Sequence, residues 1–181
     1  MVQESRPSGA PFKRLFFALS VTDGQRRAIA QWRRGLDLRS GKPVPADNFH
    51  VTLLFLGDVD AALVPAVCAA VEPLQRPDAP LRVVLDRLQV WPRASALVLE
   101  PEQAPAALRQ LVYALQQAVL PLGIEAQVRE YRPHLTLSRD FRGPLPEAAQ
   151  APEFFLAARS FTLYESRKGQ YWPLAEWPLA D

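Results

Sequence analysis

The feature that most constrains the fold of this chain is a repeated order of elements: an apolar strand, a helix and a strand with a His-x-Thr motif occur twice. The first copy spans residues 15–57 and the second spans residues 96–140. A repeated unit predicts two similar lobes that share a central cleft. Because the strands are rich in Val, Leu and Phe and are mixed with helices, we expect an α+β fold with helices outside two largely antiparallel sheets.

Hydrophobic periodicity predicts three helices and seven strands. Thr22 followed by Gln25 matches a capping box that begins the first helix. Gly57 is expected to end the first motif strand, and Gly169 to lie in a hairpin turn. The predicted helices are 22–36, 61–74 and 103–120, and the predicted strands are 15–19, 49–56, 81–90, 96–99, 131–138, 155–164 and 171–179.

Both histidines of the chain stand in the same four-residue context, in the segments 50–53 and 134–137. Residues two apart on a strand point to the same face, so each motif presents an imidazole together with a threonine hydroxyl. Imidazoles titrate near neutral pH and exchange protons with reacting groups, and hydroxyls donate to phosphoryl oxygens. This set predicts phosphoryl transfer that needs no metal. The catalytic candidates are His50 and His134, and the phosphate-binding candidates are Thr52 and Thr136.

A histidine on a strand can instead be a half-buried polar residue or a metal ligand. Neither motif contains a carboxylate, and no carboxylate is repeated near the two motifs beyond Asp47 and Glu130. The lone cysteine, Cys68, excludes an internal disulfide and a cysteine-rich metal site, and its apolar neighbours predict a buried position. The duplicated context therefore favours catalysis, and we expect neither a metal nor a cofactor.

The length of the chain, 181 residues, suits one compact domain. We expect a flexible tail over residues 1–11 and a single domain over residues 12–181. No apolar run in the sequence matches a signal peptide or a membrane helix. The sequence therefore predicts a cytoplasmic protein that does not bind membranes.

Positive charge is concentrated near the start of the chain. The net charge of the protein is +2, but residues 13–42 hold eight Lys and Arg and two Asp, which is a local net charge of +6. A segment of this charge favours a phosphate-bearing partner such as RNA. The alternative is that its arginines line the solvated face of the first helix.

Several short segments accompany the motifs, namely residues 15–18, 48–57, 90–92, 131–139 and 163–167. With these segments the chain resembles the two-histidine phosphoesterase superfamily, specifically the RNA 2',3'-cyclic phosphodiesterases, historically called 2'-5' RNA ligases. The resemblance implies a bilobal fold with a pseudo-twofold axis, and opening of cyclic phosphate ends to leave 2'-phosphates. It further implies that His50 protonates the leaving 3' oxygen and that His134 activates water, whereas the residues alone leave these two roles open.

The resemblance also bears on further contacts with the substrate. Arg139 matches an arginine that contacts phosphate, but strand alternation puts it on the face opposite His134, so a bulge or the strand end must turn it inward. Phe17 and Tyr131 are candidates for base stacking, and both also suit the core. Lys42-Pro43 stands where relatives commonly have an Arg-Trp pair, which suggests that a stacking or phosphate contact is missing.

Two other functions fit the same residues. The site of such a protein can join RNA pieces through a 2'-5' linkage, and a cleft of this kind can bind nucleotides without turnover. The intact histidine and threonine pairs favour an enzyme, and water at its bulk concentration favours hydrolysis. The expected partners are RNA ends or small cyclic nucleotides, and the expected oligomeric state is a monomer.

Overall fold

The computed structural model describes residues 11–77, 79–126 and 130–179. Residues 1–10 of the predicted tail lie outside this part. Single 3-10 turns cover Ala46–Asn48, Ala61–Leu63 and Leu120–Leu122. The strands are β1 (Phe12–Ser20), β2 (Lys42–Pro43), β3 (His50–Asp60), β4 (Leu81–Leu85), β5 (Arg87–Trp91), β6 (Ala96–Glu100), β7 (Leu135–Arg139), β8 (Phe154–Ala158), β9 (Ser160–Arg167) and β10 (Gln170–Pro178), and the helices are α1 (Asp23–Arg34), α2 (Val64–Val71) and α3 (Ala106–Val119).

Two four-stranded sheets carry the two motifs. The first sheet has the order β10-β9-β1-β3 and the second has the order β2-β7-β6-β5, while β4 and β8 form a separate pair. The strand pairs of the described residues are antiparallel. The motif strands β3 and β7 contact each other, and α3 packs on α2 and β3. These observations confirm an α+β fold with antiparallel sheets, and the pseudo-twofold relation of two lobes stays a prediction.

The three helices form where apolar spacing and caps predicted them, with shorter ends. The capping box of α1 is present: the Thr22 hydroxyl accepts from the Gln25 amide at 3.2 Å, and the Gln25 side chain accepts from the Thr22 amide at 2.9 Å. Helix α2 begins only at Val64, after a 3-10 turn, with Pro65 in its first turn. The apolar face of α3 is at most 3% exposed, and its buried residues are Leu108, Leu111, Val112, Leu115 and Val119.

The first motif strand is longer than predicted. Gly57 does not end it, because β3 continues to Asp60 and stays paired with β1. The pairing shifts register beside Gly57, whose φ of 80° lies in the left-handed region. A glycine at a bulge lets the ladder resume after an extra residue, so the glycine bends this strand without terminating it.

The predicted strand at residues 81–90 is two strands in two different sheets. β4 pairs with β8, and β5 pairs with β6, with Asp86 between them. The Asp86 carboxylate accepts from the Glu102 amide at 2.8 Å, which fixes the turn between the two strands. Asp86 and Arg87 interrupt the apolar residues at this point, so the predicted single strand passed over a local sign of the break.

The later strands differ in similar ways. The predicted strand at 131–138 begins only at Leu135, and the predicted strand at 155–164 divides into β8 and β9. The hairpin between β9 and β10 is confirmed, with φ values of 52° at Lys168 and 76° at Gly169. Two consecutive residues with positive φ are typical of a type I' hairpin turn.

Side chains that alternate with the motif residues enter the core. Val51, Leu53, Leu135 and Leu137 are at most 1% exposed. The prediction that Cys68 is buried is wrong, because its side chain is only half-buried. Val67 on α2 faces the core, and the next residue of a helix points about 100° away from it. Within the described part of the chain, no helix is long and apolar enough to cross a membrane.

One arginine of the basic segment, Arg33, binds backbone carbonyls close to the two motif strands. The Arg33 guanidinium on α1 donates to the carbonyl oxygens of Val44 and Leu137 at 2.7 and 2.8 Å. It also lies over the Phe49 ring, 5.1 Å from its centroid. Arg33 therefore joins the first helix to both motif regions and does not belong to a solvated helix face.

Candidate active site

The two His-x-Thr motifs meet in one cavity of about 260 Å³. β3 supplies one histidine and threonine, and the second pair comes from β7 and the residue before it. Each imidazole and its threonine share a face, as the two-residue spacing predicts. The residues that line the cavity are Arg14, Phe16, His50, Thr52, Phe55, His134, Thr136, Arg139, Ser166 and Tyr171.

Both imidazoles are held by the backbone in the same way. Nδ1 of His50 lies 2.8 Å from the Asn48 carbonyl oxygen, and Nδ1 of His134 lies 2.9 Å from the Arg132 carbonyl oxygen. The acceptor is in each case two residues before the histidine. Because a carbonyl oxygen only accepts hydrogen bonds, Nδ1 carries the proton in both rings. Nε2 is therefore the nitrogen that each ring offers to a reacting group.

His50 lies in an apolar and aromatic environment. Its ring centroid is 5.1 Å from that of Phe16 and 5.1 Å from that of Tyr171. Its Nε2 accepts from the Thr52 hydroxyl at 2.8 Å. Burial lowers the pKa of His50 to about 4, with further lowering by the charges of His134 and Arg139. The hydrogen bond to the Asn48 carbonyl opposes this shift. His50 is consequently neutral at pH 7 in the free protein.

His134 has a different environment, which includes a carboxylate. Its ring lies 4.2 Å from the Trp91 ring, and the guanidinium of Arg132 covers Trp91 at 4.6 Å. Burial and, to a smaller extent, the positive charge of Arg132 lower the pKa of His134, while its bond to the Arg132 carbonyl and the negative charge of Glu100 raise it. The two imidazoles of the cavity are therefore not electrostatically equivalent.

Arg139 reaches the cavity through the bulge that alternation required. β6 pairs Val98 with Thr136 and Leu97 with Ser138, so Leu137 is an extra residue in the ladder. The side chains of Leu137 and Ser138 are both fully buried as a result. Arg139 then lines the cavity, and its guanidinium donates to the Tyr171 hydroxyl at 3.1 Å.

The prediction that Phe17 stacks on a base is wrong. Phe17 is 0% exposed and packs against the rings of Phe161 and Trp177 at 6.2 and 5.9 Å. Its neighbour Phe16 points to the opposite face of β1 and lines the cavity. Both phenylalanines stand in an apolar run, and only the pairing of β1 with β3 decides which one faces the site.

Tyr131 joins the two motifs from outside the cavity lining. Its hydroxyl donates to the Thr52 carbonyl at 2.7 Å, and its ring packs against the core. Burial raises the pKa of Tyr131. The hydrogen bond connects the residues before the second motif to the first motif strand, and the predicted base-stacking role of Tyr131 stays a prediction.

Lys42, at the position that departs from relatives, lies at the margin of the site. β2 pairs Lys42 with Arg139, and the Lys42 ammonium is 3.5 Å from the Asp140 carboxylate. A second cation therefore flanks the cavity beside Arg139. Both side chains are exposed, so this ion pair contributes little to stability.

Several residues of the site have no signal in the sequence. Phe55 and Tyr171 enter the cavity through strand pairing, and Glu100 reaches the second histidine only through Trp91 and Arg132. A cross-strand register, which a single sequence does not reveal, is needed to find them. Among residues 11–77, 79–126 and 130–179, no group of three or more His, Cys, Asp or Glu could hold a metal ion.

A larger groove of about 790 Å³ lies elsewhere, between α1 and residues 148–154. Neither histidine contributes to it, and its lining includes Trp32 and Leu36 together with small residues. Volume alone therefore does not identify the site, whereas the paired acid-base groups do.

Comparison with known proteins identifies relatives over most of the chain. The family model of LigT like Phosphoesterase matches the chain twice, over residues 19–98 and 98–172, so each match contains one motif. The RNA 2',3'-cyclic phosphodiesterase of Escherichia coli is 33% identical over 93% of this chain and 98% of its own length. The protein of the same name from Thermus thermophilus is 31% identical over 74% of this chain and 71% of its own length.

Solved structures agree with the sequence comparison. E. coli LigT complexed with 3'-AMP superimposes with a TM-score of 0.84 at 31% identity, over 94% of this chain and 100% of that one. TT0787 of Thermus thermophilus superimposes with a TM-score of 0.77 at 25% identity, over 92% of this chain and 97% of that one. The double match of the family model, the full-length relatives and the shared fold show that the chain belongs to the LigT-like phosphoesterases of the two-histidine phosphoesterase superfamily.

Proposed function

We propose that the protein hydrolyses 2',3'-cyclic phosphodiester ends of RNA to 2'-phosphomonoesters without a metal ion. The observation that carries this proposal is the pair of imidazoles in one cavity, each with Nδ1 bound to the backbone, so that Nε2 is the nitrogen left for proton transfer. The names of its relatives, RNA 2',3'-cyclic phosphodiesterases, support the same substrate.

In the proposed reaction, His134 Nε2 takes a proton from water as the water oxygen forms a bond with phosphorus. The bond between phosphorus and the 3' oxygen breaks, and His50 Nε2 gives a proton to that oxygen. The product carries a 2'-phosphate and a 3'-hydroxyl. The resemblance to the family supplies the choice of acid and base, and the two sheets bring the rings to one substrate from different strands.

Three side chains are proposed to bind the phosphate. The Thr136 hydroxyl would donate to a non-bridging oxygen, and the Thr52 hydroxyl would turn from His50 Nε2 to donate to another. Negative charge is concentrated on these oxygens during the reaction. The Arg139 guanidinium, which lines the same cavity, would add a charge-assisted hydrogen bond.

Substrate binding is proposed to set the protonation state of His50. With a pKa of about 4, its imidazole lacks the second proton that a general acid needs at pH 7. A phosphodiester anion beside the ring favours the charged imidazolium, so the pKa of His50 rises in the complex. The anion thus prepares the acid that acts on it.

The test is an assay of an oligoribonucleotide with a 2',3'-cyclic phosphate end, in the presence of EDTA. We expect a 2'-phosphate product from the wild type, and a loss of roughly 100-fold or more in His50→Ala and in His134→Ala. Tyr113→Ala, at an exposed position on α3, is the control and should keep full activity. If an RNA with a 5'-hydroxyl is added and the main product is 2'-5' ligated RNA, the function is ligation and not hydrolysis. Binding of the oligonucleotide without turnover would indicate a binding module.

The choice between long RNA and small cyclic nucleotides belongs to the same proposal. Arg14 and Arg139 at the cavity favour a substrate with more than one phosphate.

The single domain over residues 12–181, the monomeric state and the cytoplasmic location also remain predictions.

A further inference from the structure

A buried carboxylate outside the cavity contacts the surroundings of the second histidine. Glu100, at the end of β6, is only 7% exposed. Its Oε1 accepts from the Trp91 indole at 3.1 Å and from the Arg132 guanidinium at 2.9 Å. Arg87 lies 4.0 Å from its Oε2. The proton transfers proposed above do not use this group.

The two residues that donate to Glu100 Oε1 are also the two that hold His134. The Trp91 ring packs against the His134 ring at 4.2 Å, and the Arg132 carbonyl accepts from His134 Nδ1 at 2.9 Å. The Arg132 guanidinium also covers Trp91 at 4.6 Å. The contacts form a closed loop in which the carboxylate fixes both supports of one imidazole.

His50 has no equivalent of this loop among the residues that the structure describes. Its neighbours are the rings of Phe16 and Tyr171, and the charges that act on it are those of His134 and Arg139. The two histidines thus have the same backbone anchor but different outer partners.

We propose that Glu100 is a positioning residue for His134, which acts through Trp91 and Arg132 and stabilises the imidazolium form. This inference rests on the proposed function only for the identity of the reaction. When His134 accepts the proton of water it becomes positively charged, and a buried negative charge behind Trp91 favours that state. The charged groups near Glu100 and His134 are the guanidinium groups of Arg132 and Arg87, and the His50 imidazole of the first motif also interacts electrostatically with His134.

Loss of the negative charge should affect His134 in two ways. The Arg132 guanidinium would lose its ion pair and Trp91 its charged acceptor, so the ring would lose the packing that orients it. The pKa of His134 would also fall, because Glu100 is one of the groups that raise it. Glu100→Gln changes charge with little change in shape and tests both effects.

A matched control is present in the other sheet. Glu165 on β9 is also 7% exposed and is paired with Lys13 at 3.2 Å, on the strand face opposite the cavity-lining Ser166. Glu165→Gln therefore removes an equally buried, ion-paired carboxylate away from the site. A thermal melt of both variants controls for simple loss of stability.

We expect that Glu100→Gln lowers kcat by roughly 10- to 100-fold, with a KM close to that of the wild type, while Glu165→Gln keeps the kcat of the wild type. Because the chain has two histidines, an NMR titration resolves each imidazole directly. The pKa of His134 should be lower in Glu100→Gln, and this shift should be larger than any change in the pKa of His50, which Glu100 does not contact. Trp91→Phe, which keeps a ring but removes the donor to Glu100, should give a smaller loss of kcat.

The inference would be overturned if Glu100→Gln kept both the kcat and the His134 titration of the wild type. The inference would also be wrong if Glu100→Gln and Glu165→Gln lost activity and thermal stability equally and the pKa of His134 did not change. Glu100 would then have only a structural role. If the wild type did not hydrolyse cyclic phosphates, the proposed function would fail. The NMR titration needs no activity and would still decide whether Glu100 acts on His134.

Discussion

The two imidazoles have one backbone anchor in common and two different surroundings. Each Nδ1 is bound to the carbonyl two residues upstream, which presents Nε2 to the substrate. Aromatic rings enclose His50, while a carboxylate stands behind the supports of His134. Acid-base catalysis by two identical side chains requires that their environments separate their protonation states. The structure supplies that difference outside the motifs.

The pKa of His50 should depend strongly on bound phosphate. In the free protein burial lowers this pKa to about 4, so the ring is neutral above that pH. A bound anion stabilises the imidazolium, and the pKa should therefore rise in the presence of adenosine 2'-monophosphate. NMR titration of the His50 ring with and without this ligand measures the change. An unchanged pKa in the saturated complex would argue against His50 as the group that donates the proton.

At the scale of elements, the position of Arg139 depends on the contact of a glycine turn with the end of β7. Gly41 has a φ of 86°, and a Cβ atom there would lie 2.5 Å from the Ser138 hydroxyl and 2.9 Å from the Arg139 carbonyl oxygen. Neither distance is compatible with a real carbon atom. Gly41 is therefore required both for its backbone conformation and for the close approach of the two chains.

Gly41→Ala should displace the end of β7 and raise KM for a cyclic phosphate substrate, because Arg139 would leave the cavity. Gly123→Ala is the matched control, since its φ of 83° carries the same backbone strain while no atom lies within 4 Å of the added carbon. Both variants should lose about 1 kcal/mol of unfolding free energy from this strain. Only Gly41→Ala should lose substrate affinity, and equal KM values for the two variants would contradict the contact.

At the scale of the whole molecule, the fold divides the basic segment among different tasks. Arg14 lines the cavity, Lys42 flanks it beside Arg139, and Arg33 binds backbone carbonyls behind it. Arg27 on α1 is exposed and lies beside a different groove. The local charge of +6 therefore does not form one uniform surface for RNA.

Arg14 should contribute to the binding of oligonucleotides but not of mononucleotides. Its guanidinium lies over the exposed Phe55 ring at 5.0 Å, at the cavity, where it can meet a second phosphate. Arg14→Gln should raise KM for a cyclic-ended oligoribonucleotide and reduce the salt dependence of log KM by roughly 0.7, with little effect on 2',3'-cyclic AMP. Arg27→Gln serves as the control. Equal effects of Arg14→Gln on both substrates would contradict a second phosphate contact.

The features of this protein that depend on local spacing could be predicted from its sequence. The duplicated His-x-Thr motifs, the capping box at Thr22, the apolar face of α3 and the hairpin at Gly169 are each defined within a few residues along the chain. Period-two alternation also predicted the burial of Leu53 and Leu135 behind the motifs. For these features the backbone geometry of one helix or strand is a sufficient cause.

Tertiary structure alone decided the features that depend on pairing between distant strands. The register of β1 against β3 determines that Phe16, and not Phe17, lines the cavity. The bulge at Leu137 in β7 directs the Arg139 side chain into the cavity. Contacts across the second sheet connect Glu100 to a histidine 34 residues later in the chain. A one-residue shift in register exchanges the two faces of a strand, and nothing in the local sequence reports that shift.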